Sequence, residues 1–143
     1  MVTVLIILAT VIVTWIVSMV ATLVVGIILV ILIGVCIKMI TGELPQSQSL
    51  AHSYRHLDFF VKTLSYSISQ FAGFAAGFAV LSAGGLLRLF PVLIAVVALS
   101  CLLHLSRSTG RVGRMEVPLT KLDKVANIIG TVTAIVLGYL FLY

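Results

Sequence analysis

From Val2 to Ile40 the chain carries no proline and no charged side chain before Lys38. A helix over that whole run would be about 58 Å long, against about 30 Å of bilayer hydrocarbon. Three conformations are open to it. A hairpin of two short spans needs a turn near the middle, but Thr14-Trp15-Ile16-Val17-Ser18-Met19-Val20 holds no Gly, Pro, Asn or Asp. A cleaved signal peptide needs a basic leader and a short apolar core, and neither is present. One long helix remains. On this reading Trp15 marks one membrane interface and Lys38 the other. Residues 1–13 then run on beyond the bilayer, or are drawn into it by tilt.

The rest of the chain has the same character. Hydrophobic residues make up 62% of the sequence and charged residues 9%, against about 25% charged in a soluble globular domain. Backbone amides in hydrocarbon must be paired internally, which restricts the chain to helices or a closed barrel. The apolar runs are continuous rather than alternating, which selects helices. The expected fold is an all-α integral membrane protein, a single transmembrane domain over residues 1–143. It has four transmembrane helices in a small bundle, with spans at about 14–38, 59–82, 86–105 and 122–143.

Connections follow from local signals. Gly42 suits a helix C-terminus and Pro45 blocks continuation. Leu50, Tyr54, Leu57 and Val61 recur on one face opposite His52, Arg55 and His56, which predicts an interfacial helix over about 49–58. Gly84-Gly85 marks a tight turn, Pro91 sits where a helix start tolerates it, and Ser106 to Pro118 reads as a polar loop. Thr120 with Asp123 has capping-box spacing. Tyr139 and Tyr143 anchor the far end of the last span.

Charge then orients the layout. Lys38, Arg55, Lys62, Arg107, Arg111, Arg114, Lys121 and Lys124 fall on one side and only Arg88 on the other. The positive-inside rule makes the basic side cytoplasmic and places both termini on the non-cytoplasmic side.

Small residues recur at every fourth position: Ser65, Ser69, Gly73 and Gly77 in the second span, and Ala126, Gly130, Ala134 and Gly138 in the fourth. In the first they are Thr10, Thr14, Ser18, Thr22 and Gly26, with Gly34 further on. Such stripes let helix backbones approach closely, within one chain or between chains. Gln70 needs a hydrogen-bond partner in hydrocarbon, and Asn127 is the expected one.

Catalytic signatures are missing. There is no phosphate loop, nucleophile elbow or HExxH, and the four carboxylates Glu43, Asp58, Glu116 and Asp123 avoid the span centres. No enzyme activity, cofactor or metal is expected. His52 and His56, spaced i, i+4, with His104 at the same level, are the candidates for a haem or metal site. The alternative is a solvated face, since no carboxylate stands beside them. Cys36 and Cys101, each inside an apolar run, read as small hydrophobes.

The basic strip Arg107, Arg111, Arg114, Lys121 and Lys124 fits topology determination, anionic lipid headgroups, or nucleic acid if the protein sits in a virion. The functional expectation is a non-catalytic structural or accessory subunit of a larger respiratory, secretion or viral membrane assembly. Its partners are the bilayer and other subunits or copies of itself. The alternatives are an oligomeric pore former (holin-like, toxin-like or a small channel) and a His-ligated haem or metal subunit.

Overall fold

The computed structural model describes residues 1–42, 55–112 and 115–143, apart from the side chains of residues 55 and 110–117. Helix α1 runs over Val2–Thr41, α2 over Arg55–Ala83, α3 over Phe90–Ser106 and α4 over Lys121–Leu142. All four regions are long and apolar enough to cross a membrane. Between α3 and α4 lies an antiparallel hairpin, β1 (Thr109–Val112) and β2 (Met115–Pro118), with Thr109 opposite Pro118 and Val112 opposite Met115. The hairpin is an addition to the expected all-α fold. Strands of four residues around Gly113 are too short to display a readable period.

Helix ends are set by local chemistry. Gly42 closes α1 with φ 76°, and its N–H bonds to the Lys38 carbonyl at 2.9 Å. A left-handed residue without a Cβ satisfies a carbonyl that the helix would otherwise leave open. At the end of α2, Gly85 (φ 66°) bonds back to Ser82 at 3.0 Å and Leu86 to Leu81 at 2.9 Å. This 6→1 and 5→2 pair is a Schellman closure. It is followed by a 3₁₀ turn at Leu87–Leu89 that leads into α3 with Pro91 in its first turn. At α4, Thr120 and Asp123 form a capping box. The segment expected as an interfacial helix lies mostly outside the described residues. From Arg55 onward it is the start of α2, with no break before Phe59.

Close contacts fix the relative directions. A Cβ on Gly84 would touch Ile6, one on Gly77 would touch Thr14 and Thr10, and one on Gly73 would touch Ser18. α1 is therefore antiparallel to α2. Gly130 faces Tyr66 and Gly138 faces Phe74, so α4 runs parallel to α2. Leu93 lies against Gly77 and His104 against Tyr66, which makes α3 antiparallel to α2. The ends of α3 and the starts of α2 and α4 thus share one end of the bundle.

Contacts with α2 register α1 along the bundle. Residues 1–13, expected either beyond the bilayer or drawn into it by tilt, include Ile6 and Thr10, which lie against α2, and Trp15 adjoins the crossing at Thr14. The extra length lies at the other end: from Ser18 to Thr41 is about 35 Å, against about 27 Å from Gly73 back to Arg55. Hydropathy is nearly uniform along α1 and cannot register it. The match of hydroxyl-bearing residues to glycines does.

The interior is inverted relative to a water-soluble fold. The buried residues of α1 are Thr10, Thr14, Ser18 and Ile37, while Leu5, Ile12, Trp15, Ile16, Met19, Leu23 and Ile27 are exposed. α2 and α4 bury Ser65, Ser69, Gln70, Asn127 and Thr131 alongside Phe74 and Leu81. The apolar core is small: Phe74, Leu81, Phe90, Leu93 and Val97, toward the Gly84-Gly85 end. There Phe90 meets Phe74 edge-on at 5.4 Å and stacks on Tyr143 at 4.4 Å.

Candidate functional site

Polar side chains gather at the opposite end. Asp58, Lys62 and Tyr66 recur along α2 at i, i+4, i+8, while Asp123, Asn127 and Thr131 do the same along α4. Parallel packing of the two helices brings these rows together. The Lys62 ammonium sits 2.8 Å from Asp58 and 2.6 Å from Asp123 Oδ1. Asp123 Oδ2 accepts from both the N–H and the hydroxyl of Thr120, each at 2.8 Å, and the Asp123 N–H donates to Thr120 Oγ1 at 3.2 Å. One carboxylate therefore caps α4 and ties it to α2. The buried Oδ1 has no ordinary hydrogen bond, but the 2.6 Å ion pair serves it.

One turn deeper, the Tyr66 hydroxyl lies 3.3 Å from His104 Nε2, and the two rings meet edge-on at 5.5 Å. Asn127 is within hydrogen-bonding reach of the same hydroxyl. Its Oδ1 also accepts from Thr131 at 3.4 Å. Three helices thus converge on Tyr66. Gln70 is buried, as is Asn127, but no hydrogen bond joins them. The hydrogen bond Asn127 makes is with Thr131, one turn along its own helix.

The small-residue stripes divide. Gly73, Gly77, Gly130 and Gly138 all stand where a Cβ would collide with a neighbouring helix, and Ser65, Ser69, Ala126 and Ala134 are buried beside them. Gly26 and Gly34 face open space, with nothing within 4 Å of a Cβ. At the α1–α2 crossing Thr14 Oγ1 and Ser18 Oγ are buried without a hydrogen-bond partner. They lie against Gly77 and Gly73, where weak Cα–H···O contacts are available to them.

The histidines do not form a site among the described residues. His52 lies outside them, His56 is exposed at the start of α2, and His104 is held by Tyr66. Those residues contain no group of three His, Cys, Asp or Glu side chains placed to hold a metal ion. Cys36 is exposed, Cys101 is buried, and both are free thiols. Arg107, Lys121 and Lys124 stand at the polar end. Arg111 belongs to β1, opposite Glu116, and Arg114 lies outside the described residues.

Sequence reasoning missed the Lys62–Asp123 pair and the Tyr66–His104 contact. Two polar rows of period four on different helices were the available signal, and only the parallel packing of α2 and α4 superimposes them. Comparison with known proteins finds no match: no family model, no curated protein and no solved structure is similar to this chain.

Proposed function

We propose that this chain is a multi-pass integral membrane protein, a non-catalytic structural or accessory subunit of a larger membrane assembly. The observation that carries the membrane reading is the inverted interior. Each large apolar side chain left in water forgoes about 1.5–3 kcal/mol. The exposed row on α1 alone would exceed the net stability of a typical domain, about 5–15 kcal/mol. Lipid removes that cost. The subunit reading rests on α1, whose roughly 60 Å exceeds one bilayer and whose outer faces are unpartnered among the described residues.

The pore reading has less support. Of the polar face of the second span that would line a channel, Ser65, Ser69 and Gln70 are buried by this chain's own helices and Ser67 is half-buried. Leakage of ions from liposomes holding the pure protein would restore it. For the subunit reading, photocrosslinkers at Leu23, Ile27 and Val30 on the exposed side of α1 are expected to capture the same protein partner at fixed stoichiometry in native membranes. Capture of lipid alone at all three would overturn it.

The same reading makes the basic end cytoplasmic. With Cys36 replaced by serine, a cysteine at Arg88 is expected to react with an impermeant maleimide added outside intact cells. A cysteine at Ser108 is expected to react only after the membrane is opened. Labelling of both from outside would defeat the four-span topology.

A further inference from the structure

The hairpin brings together two helix ends that the sequence separates. The Leu119 N–H bonds to the Ser108 carbonyl at 3.0 Å, continuing the pairing of Thr109 with Pro118. This clamps the C-terminus of α3 to the N-terminus of α4 and sets Arg107 beside the Thr120–Lys121 entry to α4. Arg107 from the end of α3 and Asp123 and Lys124 from the start of α4 all act electrostatically on the His104 ring, so these helix ends are near neighbours.

The described acids at this end of the bundle are already engaged. Asp58 and Asp123 are engaged by Lys62, and Asp123 by the α4 cap as well. Among the described residues, Arg107, Lys121 and Lys124 form no ion pair. Helix α3 also supplies a depth gauge. From Phe90 to Ser106 it is about 26 Å long, close to the hydrocarbon thickness, so in a membrane-spanning bundle Arg88 before it and Arg107 after it would stand at the two headgroup levels.

We propose that Arg107, Lys121 and Lys124, gathered by the hairpin at the end of α3 and α4, bind the phosphate of an anionic phospholipid in the cytoplasmic leaflet. This rests on the membrane reading above. Two helix ends hold the cations at one depth, where a headgroup phosphate lies and the apolar flanks of α3 and α4 receive its acyl chains. A lysine or arginine near an anionic leaflet gains enough to hold such a lipid about fivefold more tightly per cation.

The test uses the full chain, purified in neutral detergent and delipidated. Retention of phosphatidylglycerol is compared with that of phosphatidylcholine by native mass spectrometry. Alkaline extraction of the source membranes comes first: release of the protein there would refute the membrane reading itself, separately from the lipid site. The wild type is expected to prefer phosphatidylglycerol, with the preference weakening in high salt. R107Q/K121Q/K124Q is expected to lose it, and R88Q, at the opposite leaflet, to keep it. Equal retention of both lipids by the wild type, or an undiminished preference in the triple variant, overturns the proposal. So does equal loss in R88Q, or displacement of the lipid by a short oligonucleotide at comparable concentration.

Discussion

Gly130→Val is expected to force α4 off α2 and to cost about 3 kcal/mol, the upper range for overpacking a tight contact. A Cβ at Gly130 would lie 2.6 Å from Tyr66 Cβ and 2.9 Å from the Ser67 backbone nitrogen. A flexible side-chain tip can swing aside, but these atoms belong to the helix itself, so α2 as a whole must retreat. The retreat would also part Lys62 from Asp123 and Tyr66 from Asn127. Gly26→Ala and Gly34→Ala provide the contrast. Their Cβ positions are empty, and alanine is the better helix former by about 1 kcal/mol, so stability should stay level or rise. Cys101 is a native reporter, buried in the fold, while Cys36 is exposed and can be replaced by serine. Thermal unfolding in detergent, followed by reaction of Cys101 with a thiol-sensitive dye, should place Gly130→Val far below the other two. Indistinguishable midpoints would mean that the α2–α4 contact does not depend on a residue without a side chain at Gly130.

Asp123→Ala is expected to be the most damaging change at the polar end. It removes a cap, worth about 1 kcal/mol, and strands Lys62 with Asp58 alone. Loss of a fully buried pair costs about 3–5 kcal/mol. Lys62 and Asp58 retain side-chain exposures of 40% and 37%, so solvent offsets part of the loss, whereas Asp123 at 11% has little access to water. The combined cost should be about 2–3 kcal/mol. Lys62→Met should cost about 2 kcal/mol, because it leaves Asp123 buried with one oxygen unserved. The double variant Lys62→Met/Asp123→Ala should be less destabilised than the sum of the singles, since neither charge is then left without its partner. Strict additivity would show that the two residues act independently and that the pair does not join α2 to α4.

The two predictions concern residues of different legibility. Gly130 belongs to a stripe of small residues readable along the chain, because its purpose, close approach of backbones, leaves a compositional mark at every fourth position. The stripe does not say what approaches. Gly26 and Gly34 carry the same mark, and the fold leaves them open, because side-chain size is local while the position of a neighbour is not. Asp123 was legible as a cap, since its Thr120 partner is three residues away. Its second role depends on Lys62, which lies on a different helix.

The inverted interior shows the same division. Long uncharged runs and a 9% charge content by themselves dictate helices whose backbone amides are satisfied within each segment. They also place the basic residues in the connections and in the terminal turns of the helices, away from the span centres. Depth and register are another matter. A helix as evenly apolar as α1 has no preferred level, so Trp15 and the first thirteen residues could be placed only by Thr10, Thr14 and Ser18 meeting Gly77 and Gly73. The hairpin that joins Arg107 to Lys121 likewise arises from backbone pairing across a turn. Helix count, apolar character and charge asymmetry are sums over single residues, and the sequence alone determines them. The Lys62–Asp123 pair, the Tyr66–His104–Asn127 convergence and the clustering of cations are relations between residues distant in the chain, and only the packing of α1, α2, α3 and α4 decides those.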